Sequence, residues 1–168
     1  MVDVANVMGS RPDGWWRDRA GAAVRLYSEL AALAASGRAV LPGQTGPGGA
    51  GRPDAAGPGY ASLPPDPVGP PEFVMVLEGA ARAAASRITS AEAARGPQDA
   101  APGPGQAPPG RVRGGQARGA GDDTIVALGR ELPGRRVVVT ADRALRDRSV
   151  ASGATVLGPG WLLGLLRH

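Results

Sequence analysis

No cysteine and no lysine occur in the chain, and the one histidine is its last residue, His168. Without cysteine there are no disulfides, no thiolate nucleophile and none of the usual structural zinc sites. Without lysine there is neither a Schiff-base amine nor a Walker-type phosphate lysine, and a histidine at the final position is poorly placed for a catalytic triad. Carboxylates working with a metal ion are the main catalytic chemistry left. Apolar runs long enough to cross a bilayer are also missing, as is a charged opening followed by an apolar stretch, so the cytosol is the expected compartment and no membrane is expected as a partner.

What the chain holds in quantity is glycine (27), proline (17) and arginine, which supplies all 19 basic residues. A length of 168 residues suits a single domain, with an ordered core smaller than that length suggests. The net charge of +4 favours a polyanionic partner. A GC-rich genome would yield the same arginine-, alanine- and proline-rich composition, so charge alone decides little.

Along the chain, Val2–Val7 reads as a short buried strand running into a loop. Arg11-Pro12-Asp13-Gly14 supplies turn chemistry, with Asp13 a candidate helix cap. From Trp15 to Ala35 the pattern is helical, with Trp16, Ala20, Ala23, Tyr27, Leu30 and Ala34 on one face, and Gly37 is a natural stop. Residues 44–71 are Gly/Pro-rich without periodicity and read as a disordered insertion, as do residues 96–121, where Arg111-Val112-Arg113 is the one trace of an edge strand. The unbroken apolar run Phe73–Leu77 suits a strand buried on both faces. Gly79–Arg95 is Ala-rich and helical in character. Asp123–Leu132 reads as a helix ended by Pro133-Gly134, Val137–Thr140 as a strand, and Arg143–Ser152 as a helix. A strand at Thr155–Leu157 and a last helix at Trp161–Leu166 follow. Strand and helix alternate, which predicts an α/β fold with a mostly parallel sheet and helices on both faces. Right-handed crossovers then bring the C-terminal ends of the strands to one edge, where such sheets bind ligands.

Acidic residues cluster at that expected edge. Asp3 lies in the first strand, Glu78 follows the second, Asp122 and Asp123 open a helix, and Asp142 follows Val137–Thr140. Crowded carboxylates repel, and a divalent cation removes the repulsion and polarises a phosphoryl oxygen. Taken singly, Asp122, Asp123 and Asp142 are good helix caps, and Glu78 is a normal solvated strand end. Asp3 is harder to dismiss, because an aspartate inside an apolar strand needs a partner. Trp15 and Trp16, beside Arg11, Arg17 and Arg19, have the chemistry to stack on bases and contact phosphates. One side of that helix must be core, so Trp16 is expected to pack and Trp15 to be the exposed contact. Arg111, Arg113 and Arg118 resemble RNA-binding RGG segments, and equally a solvated linker. Gly158-Pro159-Gly160 lacks the spacing of a dinucleotide loop and reads as a turn and cap.

These residues also carry a family resemblance. Val2-Asp3-Val4-Ala5-Asn6-Val7, leading into Gly9-Ser10-Arg11-Pro12-Asp13-Gly14-Trp15-Trp16-Arg17-Asp18-Arg19, resembles the opening of NYN-domain proteins of the YacP-like group (actinobacterial type), within the PIN-like nuclease superfamily. The segments Val76–Gly79, Gly121–Val126 and Val138–Arg143 resemble its later blocks, and together the matches cover about half the chain. The resemblance implies a Rossmann-like PIN/NYN fold and Mg²⁺- or Mn²⁺-dependent RNA cleavage. It makes Asp3, Glu78, Asp122 and Asp142 the metal-binding carboxylates, Asn6 a polar neighbour, Asp123 a further acid, and Thr140 a hydrogen-bonding group near the metal or the scissile phosphate. Arg11 and Arg143 are the candidate contacts to the RNA backbone, and Trp15 to a base. The alternatives are a non-catalytic RNA- or ribosome-associated binding module on the same fold, and an enzyme that binds or hydrolyses nucleotides with the same acidic edge.

Overall fold

The structure is a computed structural model that describes residues 1–37, 41, 71–94, 110–117 and 121–167. Its centre is a five-stranded, all-parallel sheet in the order β3-β2-β1-β4-β5. The strands are β1 (Val2–Asp3), β2 (Phe73–Leu77), β3 (Val112–Gln116), β4 (Val137–Val139) and β5 (Thr155–Leu157). Helices α1 (Val4–Gly9), α2 (Arg19–Ala35), α3 (Ala85–Ala94), α4 (Gly121–Glu131), α5 (Arg143–Ala151) and α6 (Pro159–Leu166) connect and follow them. The chain therefore steps outward from β1 to β3, then returns to the far side of β1 at β4. That is the Rossmann-like order, and its reversal point lies between β1 and β4. Among the described residues, no helix is long and apolar enough to cross a membrane.

Why the sheet is covered on both faces is visible in β2. All five of its residues are buried. Phe73, Met75 and Leu77 enter one core with residues of α1, α2, α3 and α6, while Val74 and Val76 enter the other with Ile125 and Val126 of α4 and Leu145 of α5. Period-two alternation in a wholly apolar run thus divides a single strand between two cores. The first core is the larger, anchored by Leu26, Tyr27 and Leu30 of α2. Its partner on α3 is Ile88, whose Cγ2 would lie 2.8 Å from a Cβ placed at Gly114 of β3.

Several elements differ from the sequence expectation. The strand expected over Val2–Val7 stops at Asp3, and α1 begins at Val4, because the Asp3 carboxylate accepts the Asn6 amide and caps the helix at once. Met1 extends the strand backbone instead: its carbonyl accepts from Val139 N (3.0 Å), and its amino group donates to Val137 O at 2.6 Å. Burial pushes that amino group down to about 6. The helix expected from Trp15 to Ala35 is broken in two. Asp13 caps no helix: it accepts from Trp15 N ahead of a 3-10 turn at Trp15–Arg17 whose N-cap is Gly14 at φ 74°, and Asp18 caps α2 by accepting from Gly21 N at 2.7 Å. The break reverses the tryptophans: Trp16 is 57% exposed, and Trp15 is half-buried against the larger core.

Gly79–Ala84 is a 3-10 segment that passes into α3. Of the expected insertion over residues 44–71, all but Pro71 lies outside the described residues. Within residues 96–121 the trace at Arg111–Arg113 proves to be a full edge strand, β3, paired along its length with β2. The rest of that span lies outside the described residues, save Gly110, Arg111, Ala117 and Gly121. On β3 the Gly114 amide donates to Glu92 Oε1 of α3 at 2.7 Å, and Arg113 forms an ion pair with Glu72.

The close approach of α3 to β3 is testable. Gly114→Ala should destabilise the protein by about 1–3 kcal/mol through overpacking against Ile88. Ile88→Ala alone should cost about 2–5 kcal/mol. Urea denaturation should find the double variant less destabilised than the sum of the two, since the smaller side chain makes room for the added methyl.

Candidate functional site

Four loops and helix starts meet where β1, β2 and β4 end. Asp3 closes β1 and is 4% exposed. A carboxylate so deeply buried requires hydrogen-bond donors, and three supply it. Asn6 N donates to Oδ1 at 3.1 Å, Asn6 Nδ2 to Oδ2 at 2.7 Å, and Thr140 Oγ1 to Oδ2 at 2.8 Å. Thr140, fully buried just after β4, in turn accepts from Asp142 N at 3.0 Å. Asp142 caps α5 by accepting from Leu145 N on Oδ1 at 2.7 Å. A continuous polar chain therefore runs from Asn6 through Asp3 and Thr140 to the Asp142 backbone, across the reversal point of the sheet.

From the other side comes Glu78, which follows β2. Its Oε2 accepts from Gly121 N, the first residue of α4, at 2.9 Å. Glycine leaves room for this arrangement: a Cβ at position 121 would fall 2.2 Å from Glu78 Oε2, and the glutamate end would have to shift. The sequence reading missed Gly121; its signal was a glycine directly ahead of two acids at a helix start. Asp122 is the next residue, and among the described residues it accepts no hydrogen bond and forms no ion pair. Its carboxyl is raised above the ordinary value, first by burial and then by the negative charges of Asp142, Asp3 and Glu78, with Arg148 working the other way. Of the four acids expected from the sequence, Asp122 is the one whose carboxyl feels the other three.

Two of these acids serve as caps: Asp142, as its place before α5 suggests, and Asp3. Capping engages one oxygen of each, and the second oxygen of Asp3 is bonded to the side chains of Asn6 and Thr140. Asp142 Oδ2, Glu78 Oε1 and both oxygens of Asp122 accept no hydrogen bond from described residues. Among the described residues, no three acidic side chains lie close enough together to hold one metal ion. The all-oxygen donors and the repulsion felt by Asp122 suit a hard divalent cation of the kind held by one or two carboxylates with water and phosphate. They do not make a closed cage.

The remaining expected residues are placed differently. Asn6 orients Asp3, giving it both a backbone and a side-chain bond. Arg11 is turned to Glu29 of α2 in a two-pronged pair at 3.1 and 2.5 Å, so its guanidinium is already engaged. Asp123 points outward to Arg148 at 2.5 Å and is not part of the cluster. Arg143 is exposed at the first turn of α5, next to Asp142. Trp15 is a supporting ring rather than the exposed contact, held between Trp16 and the guanidinium of Arg19.

The electrostatics of Asp122 give a pH prediction. A carboxyl raised in the folded state contributes stability that is fully present below its unfolded value of 3.8 and is lost as pH rises through the folded value. Asp122→Asn has no charge to gain. Melting temperatures from about pH 3 to about pH 7 should therefore show the variant melting above the wild type at neutral pH, with the difference closing toward the acid end.

Compared with models of protein families, with curated proteins and with solved structures, the chain matches none.

Proposed function

We propose that this chain is a ribonuclease of the NYN/PIN-like kind, hydrolysing RNA phosphodiesters with Mg²⁺ or Mn²⁺ in the cytoplasm. One observation carries the reading: the Asp122 carboxyl, which accepts no hydrogen bond from the described residues, is raised first by burial and then by Asp142, Asp3 and Glu78 at the reversal point of a Rossmann-like sheet. Charge gathered there without a cationic side chain at its centre is what a metal–phosphate site requires before its ligands arrive. Asp122 and Asp142 would hold the ion, with Glu78 beside them. The cation supplies charge neutralisation and Lewis acidity at the phosphate.

The chain's own residues do the rest. Asn6 and Thr140 hold the Asp3 carboxylate in one orientation at the site. Thr140 also holds the Asp142 backbone, which sets where Oδ2 of that residue can lie. Gly121 lets Glu78 sit against the start of α4, whose first-turn amides favour negative charge. Arg143 is the nearest exposed arginine to Asp142 along the chain and is suited to the RNA backbone.

A second reading has its own support. No three carboxylates among the described residues stand within reach of one ion, as expected of a non-catalytic RNA-binding module that keeps the fold and the arginine-rich surface.

The two readings separate in one experiment. Under the first, wild type cleaves single-stranded RNA with Mg²⁺ or Mn²⁺ and stops in EDTA. Asp122→Asn then lowers the rate at least about 100-fold, the scale of losing one electrostatic group at a reacting phosphate. Mg²⁺ should also raise the melting temperature of the wild type and not of the variant. Asp122 is the cleaner position than Asp3 or Asp142, because its substitution breaks no hydrogen bond. Cleavage retained by Asp122→Asn, or persisting in EDTA, overturns the nuclease reading; RNA bound but never cut leaves the binding module.

A further inference from the structure

Among the described residues Trp16 is the largest apolar side chain left in solvent, 57% exposed on the 3-10 turn between α1 and α2. Its ring is not loosely held. Trp15 meets it edge-on, with ring centroids 6.4 Å apart and planes at 87°. Trp15 is itself fixed: the Arg19 guanidinium lies 5.3 Å from its ring centre, its Cζ2 lies 3.7 Å from where a Cβ at Gly9 would be, and it packs against the larger core. A supported indole with free area is a platform, where an unsupported one would fold down onto its own surface.

Hydrogen-bonding capacity around it is uneven. Asp13 accepts from Trp15 N, Asp18 accepts from Gly21 N, and Glu29 binds Arg11, so the nearby carboxylates are turned to partners within the chain. Arg19 lies over the Trp15 ring, and Arg17 forms no ion pair with any described residue. The group beside the ring left to meet a ligand is thus a guanidinium, which contacts phosphate and stacks on bases alike. The platform also lies on the carboxylate side of the sheet. Helix α2 must run back to the start of β2, so its first residues are at the C-terminal ends of the strands. The six-residue α1, which starts at Asp3 and ends beside Trp15, rises about 9 Å. That is a distance a few nucleotides can span.

We propose that Trp16 is a stacking platform for one base of a single-stranded RNA, with Arg17 taking an adjacent phosphate. The assignment rests on the RNA reading above and does not depend on catalysis. It names a single strand because a base already stacked in a duplex presents no open face to the indole.

The test is the binding of a fluorescently labelled oligouridine by the full chain in EDTA, so that cutting cannot intervene, against an RNA duplex of equal length. Trp16→Ala should weaken single-strand binding about 5-fold or more, Trp16→Phe should stay within about 2-fold of the wild type, and duplex binding should change in neither. Arg17→Gln should lower the salt dependence by about one phosphate contact. Circular dichroism and melting temperature should be unchanged, since the ring is exposed. Equal single-strand binding by wild type and Trp16→Ala, or an equal loss on single strand and duplex, overturns the platform and leaves the RNA reading standing. A wild type that binds no single-stranded RNA overturns both.

Discussion

The carboxylate of Asp3 ties the architecture together. It ends the central strand of the sheet, caps the helix that follows, and accepts the Thr140 hydroxyl from just beyond the neighbouring strand. Strand β1 is only two residues long, so backbone pairing alone would fix it weakly between β2 and β4. A buried charge with three donors does what a longer ladder would otherwise do. It also sets a fixed negative charge at the point where the topology opens a crevice. Removing the charge would leave Asn6 Nδ2 and Thr140 Oγ1 without their acceptor, so the fold and the site are coupled through one side chain.

The same economy recurs at two other acids of the cluster. Asp142 starts α5 and Glu78 meets the start of α4, so each helix N-terminus that reaches the crevice has a carboxylate on its amides. The partial positive charge of those helix starts offsets some of the mutual repulsion and lets the acids gather. Asp122 is the exception: among the described residues no amide or arginine is bound to its carboxylate, and burial together with the neighbouring acids raises its carboxyl. Capping and ligand binding are therefore not rival explanations here. The caps decide where the carboxylates stand, and the unbonded oxygens decide what they are able to bind.

Much of this was legible in the sequence because it depends on local chemistry. The Phe73–Leu77 run and the Thr155–Leu157 strand carry apolar patterns that only burial in a sheet explains, and the alternation of strands and helices predicted the parallel α/β fold. The positions of the acids at strand ends pointed to one edge of the sheet, where Asp122 feels the charges of Asp142, Asp3 and Glu78. What local pattern could not convey was competition between caps. Val4–Val7 looks like strand, yet Asp3 turns it into a helix; Trp15–Asp18 fits the helical face, yet Asp18 restarts the helix and moves Trp16 into solvent. Arg11 and Asp123 were read as site residues because nothing in the sequence reveals Glu29 and Arg148 as their partners. Nor does the spacing of four acids say how far apart their oxygens finally stand.

Glu92 reaches from α3 to the amide of Gly114 on β3, the outer strand of the sheet. An outer strand with free amides is a template onto which another copy of a chain can add its own backbone. Here an added strand would have to displace a charge-assisted bond and then lie beside a carboxylate stripped of its donor. The glycine pair at 114–115, which by itself would leave this edge smooth and easily paired, is thereby made a poor seed for self-association. A single acidic side chain thus occupies the edge at the place where its backbone is most accommodating.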